Sequence, residues 1–362
     1  MAKINVTRCH LPDRARFDAY VDSIYESAWV TNNGPLVREL ERRLEDYLGV
    51  RNLVLVANGT LALQIAYKLL DLQGEVITTP FTFIATASSI KWEGLDVVFA
   101  DIDPVTLNLA PENIERAITD RTSAIVPVHV FGNPCDVEAI QEIANRHKLK
   151  VVYDAAHAFG VKYKDHSVLE WGDVSTLSFH ATKLFHTIEG GALIIRDDAL
   201  CAKARKMINF GITGRETIEE LGINAKMNEY QAAMGLSMLD EMGSVIARRK
   251  KLVEIYDEVL ASKLQGQRWV KGASRNFSYY PVLFDDEQVM LNVQRALNEK
   301  DVYPRRYFYP SLDDIGFLNN SGSARSVSGG VSRRALCLPL FSSLGADDAR
   351  DIAGVIIEAA DV

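Results

Sequence analysis

The sequence is poor in the features that mark several large classes of protein. Its 362 residues include only four cysteines, with no C-x-x-C pair and no histidine at metal-ligand spacing: Cys9, Cys135, Cys201 and Cys337. This scatter favours incidental thiols in a reducing cytosol over a disulfide framework or a metal site. No apolar run approaches the roughly 20 residues of a membrane span, and the N-terminus lacks the apolar segment of a signal peptide. We therefore expect a cytoplasmic protein with no metal and no membrane partner.

An excess of positive charge is also lacking. Lysine and arginine total 40 against 48 aspartate and glutamate residues, a formal net charge of −8. This balance argues against nucleic acid as a main partner. No G-x-G-x-x-G sequence follows the first predicted strand, which argues against a nicotinamide-dependent oxidoreductase acting on sugars. The composition, 48% hydrophobic and 24% charged, is typical of a globular protein with a sizeable core.

Short apolar runs alternate with helical patterns through the first two thirds of the chain. The predicted strands are Leu53–Ala57, Glu75–Thr79, Val97–Ala100, Ala124–His129, Val151–Tyr153, Thr176–Ser178 and Ala192–Ile195. Helical patterns separate several of them, for example Leu61–Leu70 and Val137–His147. Alternation of this kind predicts an α/β fold with a largely parallel central sheet covered on both faces.

The last third of the chain predicts a smaller α+β unit. A long helix or helix pair over residues 228–262 leads into a strand at Tyr279–Phe284, a helix at Val289–Lys300 and a strand at Val302–Tyr307. The Ser- and Gly-rich segment Gly316–Gly330 predicts a surface loop, and Ala346–Ala359 a closing helix. We expect a large domain at 1–240, with an N-terminal helical segment, and a small C-terminal domain at 241–362.

The stretch Ser178-Phe179-His180-Ala181-Thr182-Lys183 carries the most information about chemistry. Lys183 follows an apolar strand and precedes Glu189-Gly190-Gly191, a position where burial lowers the pKa of a lysine and frees its amine for Schiff-base formation. Asp154 ends another apolar strand, where open α/β sheets place ligands, although the cap of a following helix is an alternative reading. A lysine that forms a Schiff base and an acid that faces a pyridinium nitrogen are the two groups that a pyridoxal phosphate (PLP) enzyme requires.

Two further junctions between strand and helix suit the same cofactor. Asn58-Gly59-Thr60 places a glycine and a hydroxyl at the start of a helix, where free N–H groups bind phosphate. Pro80-Phe81-Thr82-Phe83 follows the next strand, and one of its aromatic rings could stack on a cofactor ring. Both phenylalanines could equally belong to the core.

Together these motifs resemble those of the DegT-type sugar aminotransferases, which are fold-type-I PLP enzymes acting on nucleotide-linked keto-sugars. The matching segments run through most of the chain: Thr31-Asn32-Asn33-Gly34-Pro35, Asn58-Gly59-Thr60, residues 79–86, residues 127–132, Asp154-Ala155-Ala156-His157, residues 178–183, Glu189-Gly190-Gly191-Ala192 and residues 222–229. Eight motifs in the family's order make the resemblance specific.

The resemblance implies a role for each matching residue. Lys183 would hold PLP as a Schiff base and Asp154 would pair with its ring nitrogen, while Phe83 would stack on the ring. The phosphate would be bound by Gly59, Thr60 and Ser178. In the family pattern Asn224 reaches the phosphate of the neighbouring subunit's cofactor, which implies a homodimer with shared active sites.

The chain departs from the family pattern at three places. Asn58 stands where serine is common, and its amide could serve similarly. His157 replaces a common glutamine; it can hydrogen-bond the phenolic oxygen of the cofactor, but we expect its charge to respond to pH. A Pro-Leu-His element is replaced by residues 305–312, which include four candidate substrate-binding residues: Arg305, Tyr307, Phe308 and Tyr309. We expect the aromatic rings to line a sugar site and Arg305 or Arg306 to meet a pyrophosphate.

The resemblance implies a two-step transamination with L-glutamate as donor and pyridoxamine phosphate formed between the steps. The expected acceptor is dTDP-4-keto-6-deoxy-D-glucose, giving dTDP-4-amino-4,6-dideoxy-D-glucose for O-antigen, the polysaccharide of lipopolysaccharide, or another surface polysaccharide. Its 3-keto isomer, giving a 3-amino sugar, remains an alternative. Family members with histidine in place of the lysine are dehydratases, so Lys183 favours transamination. A PLP-sensing regulator is disfavoured because the chain is acidic and has no spare DNA-binding domain.

Overall fold

The computed structural model describes residues 3–318 and 326–361. Its strands are β1 (Ile4–Asn5), β2 (Leu53–Val56), β3 (Glu75–Thr78), β4 (Asp96–Phe99), β5 (Thr122–Val126), β6 (Lys150–Asp154), β7 (Lys162–Tyr163), β8 (His166–Ser167), β9 (Val174–Ser178), β10 (Gly191–Ile195), β11 (Ile212–Gly214), β12 (Thr217–Ile218), β13 (Gln265–Gly266), β14 (Pro281–Leu283), β15 (Val302–Tyr303) and β16 (Ala335–Cys337). Its helices are α1 (Arg14–Ser27), α2 (Pro35–Leu48), α3 (Gly59–Leu69), α4 (Ile84–Trp92), α5 (Pro111–Ala117), α6 (Val137–His147), α7 (Asp198–Met207), α8 (Glu229–Leu260), α9 (Glu287–Glu299), α10 (Val327–Arg334) and α11 (Ala346–Ala360).

Seven strands form the central sheet in the order β2-β10-β9-β6-β5-β3-β4. All neighbours pair in parallel except β10, which is antiparallel to both β2 and β9. The prediction of a largely parallel sheet is therefore confirmed. Because six strands point the same way, their carboxyl ends meet along one edge, where α/β proteins bind ligands.

Both faces of this sheet are buried, which explains why its strands read as continuous apolar runs. Along β2, Leu53 and Leu55 belong to one core cluster with α2 and α6, whereas Val54 and Val56 belong to a second cluster with α3 and α7. Alternate residues of a strand point to opposite faces, so each apolar residue of β2 has a helical layer to pack against.

A separate core lies in the C-terminal part of the chain. It joins β14, α9, β15, β16 and α11, and Leu252, Val253 and Tyr256 of α8 pack into it. The 32-residue helix α8 serves both cores, because its first half packs into the sheet-side cluster through residues such as Leu236 and Met242. Residue 240, the expected domain boundary, therefore falls inside a continuous helix. The N-terminal strand β1 pairs in parallel with β15 and adds Ile4 to the C-terminal core.

The described residues correct two expectations for the C-terminal part. The strand predicted at Val302–Tyr307 is limited to β15, Val302–Tyr303. Residues 327–330, predicted as part of a surface loop, begin helix α10, because Ser326 accepts a hydrogen bond from Gly329 N–H and caps it. The remaining part of that predicted loop, 319–325, lies outside the described residues. Within 3–318 and 326–361, no helix is both long and apolar enough to cross a bilayer.

Candidate active site

A cavity of about 290 Å³ opens at the carboxyl ends of the parallel strands. Ten of the twelve predicted site residues line it: Gly59, Thr60, Phe83, Asp154, His157, Ser178, Lys183, Arg305, Tyr307 and Phe308. A larger cleft of about 510 Å³ lies at the opposite edge of the sheet, beside Arg51, Trp171 and Arg196, and includes none of them. The topology thus brings residues from distant parts of the chain to one place.

Lys183 lies in the loop that connects β9 to β10 and is partly buried. Its backbone N–H donates to His180 O at 2.8 Å, which closes a tight turn directly after the strand. Burial lowers the pKa of Lys183 to about 8, and the attraction of Asp154 opposes part of that shift. Roughly a tenth of such an amine is neutral one unit below its pKa, far more than for an exposed lysine. Lys183 is therefore suited to nucleophilic attack on a carbonyl.

Asp154 ends β6 and is only 7% exposed. Its Oδ2 accepts from the Thr86 hydroxyl at 2.8 Å and its Oδ1 from Ala156 N–H at 3.1 Å. Burial raises the pKa of the carboxyl, while these two hydrogen bonds and the charge of Lys183 lower it in part. Asp154 does not cap a helix, because it is followed by a turn rather than an α-helix.

The predicted phosphate turn has the expected local structure. Helix α3 begins at Gly59, and Asn58 caps it by accepting from Leu61 N–H at 2.9 Å. The N–H groups of Gly59 and Thr60 lie in the first turn of α3 and have no acceptor within the helix. A Cβ on Gly59 would lie 2.8 Å from the Cβ of Ser178, so only glycine permits this close approach. Asn58 Oδ1 is engaged in the cap, so the group that Asn58 could offer a phosphate is its amide nitrogen.

His157 lies on the wall of the cavity and corrects the expectation about its charge. Its Nδ1 accepts from Phe131 N–H at 3.2 Å, and its ring stacks parallel to Phe308 at 5.9 Å between centroids. Burial lowers the pKa of His157 well below its ordinary value, and the charge of Lys183 lowers it further. The imidazole therefore stays neutral instead of responding to pH.

Aromatic side chains form the other walls of the cavity. Phe83, at the start of α4, is 51% exposed, which is unusual for a large apolar ring and leaves its face available for stacking. Tyr279, Tyr307 and Phe308 also line the cavity, and Arg305 lies 5.0 Å from the centre of the Tyr307 ring. Burial raises the pKa of Tyr307 to about 12, so its hydroxyl keeps its proton and can donate a hydrogen bond.

Two predicted residues lie outside the cavity. Asn224 is exposed beyond the β11–β12 hairpin, and its Oδ1 accepts from Lys226 Nζ at 2.8 Å. Tyr309 stacks on the guanidinium of Arg306 at 3.6 Å. Arg306 in turn donates to Glu287 and to Arg333 O, so its cation is already neutralised. Arg306 is therefore a structural residue, and of the two candidates for a pyrophosphate only Arg305 lines the cavity.

Sequence reasoning missed two residues of this site. Thr86 holds Asp154, and its hydroxyl also lies 3.0 Å from that of Thr82. Both threonines are buried polar residues at i and i+4 beside a predicted strand end, a pattern that could have been read as a hydrogen-bonding pair. Tyr279 gave no local signal, because it precedes the short strand β14 and reaches the cavity only through the packing of the C-terminal core.

The fold and the lysine–acid pair at its strand ends are those of the fold-type-I class of PLP-dependent transferases. A family model described as the DegT/DnrJ/EryC1/StrS aminotransferase family matches residues 12–357. The chain belongs to this family, as its motifs indicated, and is an aminotransferase.

Two relatives and one solved structure are similar to this chain along nearly its whole length. A dTDP-4-amino-4,6-dideoxy-D-glucose transaminase from Shigella dysenteriae is 41% identical over 361 residues, which is 98% of each chain. An Escherichia coli transaminase of the same name is 39% identical over 94% of each chain. The crystal structure of DesI in the presence of its TDP-sugar product has a TM-score of 0.93 and 36% identity, covering 99% of this chain and 93% of DesI.

The residues of the cavity fit PLP. The close approach of Gly59 and Ser178 leaves a cradle of N–H and hydroxyl groups that a Cβ would fill, and such a cradle suits a phosphate. Asp154 is a buried acid with a raised pKa, so a cationic ring nitrogen would supply the partner it needs. Lys183 supplies the amine.

Proposed function

We propose that this protein is a PLP-dependent aminotransferase that moves an amino group from L-glutamate to a nucleotide-linked 4-keto-6-deoxy sugar. The observation that carries the proposal is the meeting of Lys183, with its lowered pKa, and the buried Asp154 in one cavity at the strand ends. The names of the relatives support dTDP-4-keto-6-deoxy-D-glucose as acceptor and dTDP-4-amino-4,6-dideoxy-D-glucose as product. Such a product would serve a surface polysaccharide such as an O-antigen.

When bound, PLP supplies an aldehyde that condenses with amines and a ring that accepts electrons from the adjoining carbon. Lys183 anchors the cofactor and, once displaced by glutamate, takes the proton from the glutamate Cα as a general base. In the second half-reaction Lys183 returns a proton to the sugar carbon that receives the amine. A pKa near 8 suits both tasks, because the amine gains and loses a proton readily near neutral pH.

The other residues of the cavity orient the reactants. Asp154, held by Thr86, would keep a proton on the ring nitrogen, and Phe83 would stack on the ring. Gly59, Thr60 and Ser178 would bind the phosphate. Arg305 would attract the pyrophosphate of the nucleotide, and Tyr307 would donate a hydrogen bond to the sugar.

The cofactor and donor can be tested by absorbance. We expect the purified protein to be yellow, and its visible absorbance to bleach when glutamate is added. Lys183→Ala should lose both half-reactions. A protein that stays colourless in excess PLP, or a Lys183→Ala variant with full activity, contradicts the proposal.

The acceptor is tested by comparing dTDP-4-keto-6-deoxy-D-glucose with its 3-keto isomer, using NMR of the product. We expect amination at C4 with a kcat/KM at least about ten-fold higher than for the isomer, a preference that one misplaced polar contact accounts for. A preference for the 3-keto isomer would replace this acceptor with the alternative.

We also propose that the enzyme is a homodimer in which Asn224 completes the partner's site. Several apolar side chains around Asn224 are exposed, which is typical of a surface covered by another protein: Phe210, Ile212, Ile218, Leu221 and Ile223. Ile218 and Leu221 are 72% and 79% exposed, so leaving them in water would be costly. The family pattern supports the same arrangement.

A further inference from the structure

His157 differs from the other cavity residues because the backbone restricts what its ring can do. The ring nitrogen Nδ1 accepts the N–H of Phe131 at 3.2 Å, so Nδ1 cannot carry a proton itself. In a neutral imidazole the proton must then reside on Nε2. Within residues 3–318 and 326–361 no hydrogen-bond partner is seen for Nε2, so this N–H is the group left to the cavity.

The tautomer follows from an uncommon backbone conformation. Phe131, in the turn Val130–Gly132, has φ of 58°, in the left-handed region that a large side chain rarely adopts. Its side chain is buried against Phe81 and Phe308, which offsets the cost of that conformation. The result is a backbone N–H aimed at His157 from a turn that packing holds in place.

A second contact fixes the backbone of His157. The buried amide of Asn276 donates to His157 O at 2.8 Å and to Phe159 O at 3.1 Å, while its Oδ1 accepts from Ser278 N–H. Gly132, with φ of 90°, fits between these groups, since a Cβ there would lie 2.8 Å from His157 O. Asn276 therefore ties the segment that carries His157 to the segment that carries Tyr279, and the two rings lie 4.7 Å apart.

We infer that His157 is a permanently neutral Nε2–H donor toward the phenolic oxygen of PLP, and that Phe131 N–H and Asn276 are its positioning groups. The inference rests on the proposed function. The glutamine common at this position in the family has an amide with two N–H donors. The His157 ring instead has one donor, Nε2–H, and one acceptor, Nδ1, which is already occupied. The phenolic oxygen thus meets the same donor at every working pH.

Several ionisable groups surround His157 and must be considered in any pH test. Asp154 and Lys183 line the same cavity, as do Arg305 and Tyr307, and the Tyr279 ring lies 4.7 Å from that of His157. Burial raises the pKa of both tyrosines, so they stay protonated over the pH range of the test. The Phe131 and Phe308 rings lie parallel to the His157 ring, with centroids 6.3 Å and 5.9 Å away, and neither can titrate.

The tautomer can be read by long-range 1H–15N NMR of the holoenzyme labelled at its seven histidines. We expect the His157 signals, assigned from their loss in His157→Gln, to show Nε2–H and to stay constant over about pH 5 to 8, where an ordinary histidine titrates. Signals that move with pH, or an Nδ1–H pattern, overturn the inference.

Variants test the link to the cofactor. His157→Phe should weaken PLP binding about ten-fold or more, the loss expected for one hydrogen bond to a charged oxygen, and should shift the pH at which the visible absorbance changes. His157→Gln should restore most of both properties. Asn276→Ala should shift the same absorbance titration. Wild-type affinity and spectrum in His157→Phe overturn the inference.

His129 provides a matched control. It is also a buried imidazole whose Nδ1 accepts a backbone N–H, from Cys135 at 3.0 Å, and burial lowers its pKa to about 3. It stacks on Tyr153 outside the cavity, so His129→Phe leaves a similar N–H unpaired without touching the cofactor. PLP affinity and the visible titration should stay unchanged, and equal losses in both variants would overturn the inference. A protein that takes up no PLP at all refutes the proposed function instead.

Discussion

Lys183 owes its chemistry to its position in the loop between β9 and β10. Its pKa of about 8 lies below the ordinary lysine value of about 10.4 because burial disfavours the charged form. Lys183 is therefore charged below about pH 8 and neutral above it.

The rate at which the apoenzyme captures PLP should follow this titration. We expect the rate to rise about ten-fold per pH unit below about pH 8 and to level off above it, measured by stopped-flow growth of the visible absorbance. Nα-acetyl-lysine amide, as a control, should keep rising to about pH 10. An enzyme rate that climbs like the control would show that Lys183 is not desolvated.

Thr86 is a second single residue on which the site depends, because its hydroxyl holds the carboxyl group of Asp154. Thr86→Val keeps the shape but removes the donor to Oδ2, so a buried carboxylate loses one of its two hydrogen bonds. We expect kcat/KM to fall about ten-fold, which is the effect of one hydrogen bond to a charged group. Thr86→Ser keeps the hydroxyl and should stay near wild type. Equal kinetics for the valine and wild-type enzymes would exclude this role.

At the scale of elements, the contact between α3 and β9 determines the phosphate site. Gly59→Ala places a Cβ 2.8 Å from the Cβ of Ser178 and forces the helix start away from the strand end. We expect the dissociation constant of PLP, measured by fluorescence titration, to rise about a hundred-fold, roughly the loss of two hydrogen bonds to a charged phosphate.

Gly354→Ala is the matched control for this substitution. Gly354 lies inside α11, where an added Cβ meets nothing within 4 Å. It should leave PLP affinity unchanged and raise stability by about 0.5–1 kcal/mol, since alanine is the better helix residue. If both alanine variants bind PLP like wild type, the cradle is not formed by Gly59.

The positions of the secondary-structure elements were the feature that the sequence predicted best. The seven central strands were located to within a few residues, because β-branched runs buried on two faces leave a continuous apolar signal. Helix α10 was missed because its cap, Ser326, stands in a segment whose serines and glycines read as loop. The charge state of His157 could not be predicted, since it depends on Phe131 N–H and on aromatic rings brought there by folding. Tyr279 was missed for the same reason.

At the scale of the whole molecule, the proposed shared site makes a prediction about mixed dimers. Asn224→Asp sets a carboxylate against the partner's phosphate and should be inactive, as should Lys183→Ala. A mixed dimer of the two has one site with both changes and one intact site. Refolding an equal mixture should therefore recover about a quarter of wild-type activity, since half the dimers are mixed.

A second mixture serves as the control for that experiment. Lys183 and Asp154 line the same cavity of one chain. Mixed dimers of Lys183→Ala with Asp154→Ala would therefore have one change in each site and recover no activity. Recovery in this control, or none in the Asn224 mixture, would contradict a site completed by the partner's Asn224.

The length of helix α8 limits where this chain can accept an inserted residue. Its buried Arg249 donates to Phe277 O and Ser278 O, directly before Tyr279. Each residue of a helix turns it by about 100°, so a single-residue insertion near Gly243 would rotate Arg249, Leu252 and Tyr256 away from their partners. Insertions in the loops should therefore be tolerated better than a change in the number of residues in α8, which would move Arg249 away from the segment that carries Tyr279.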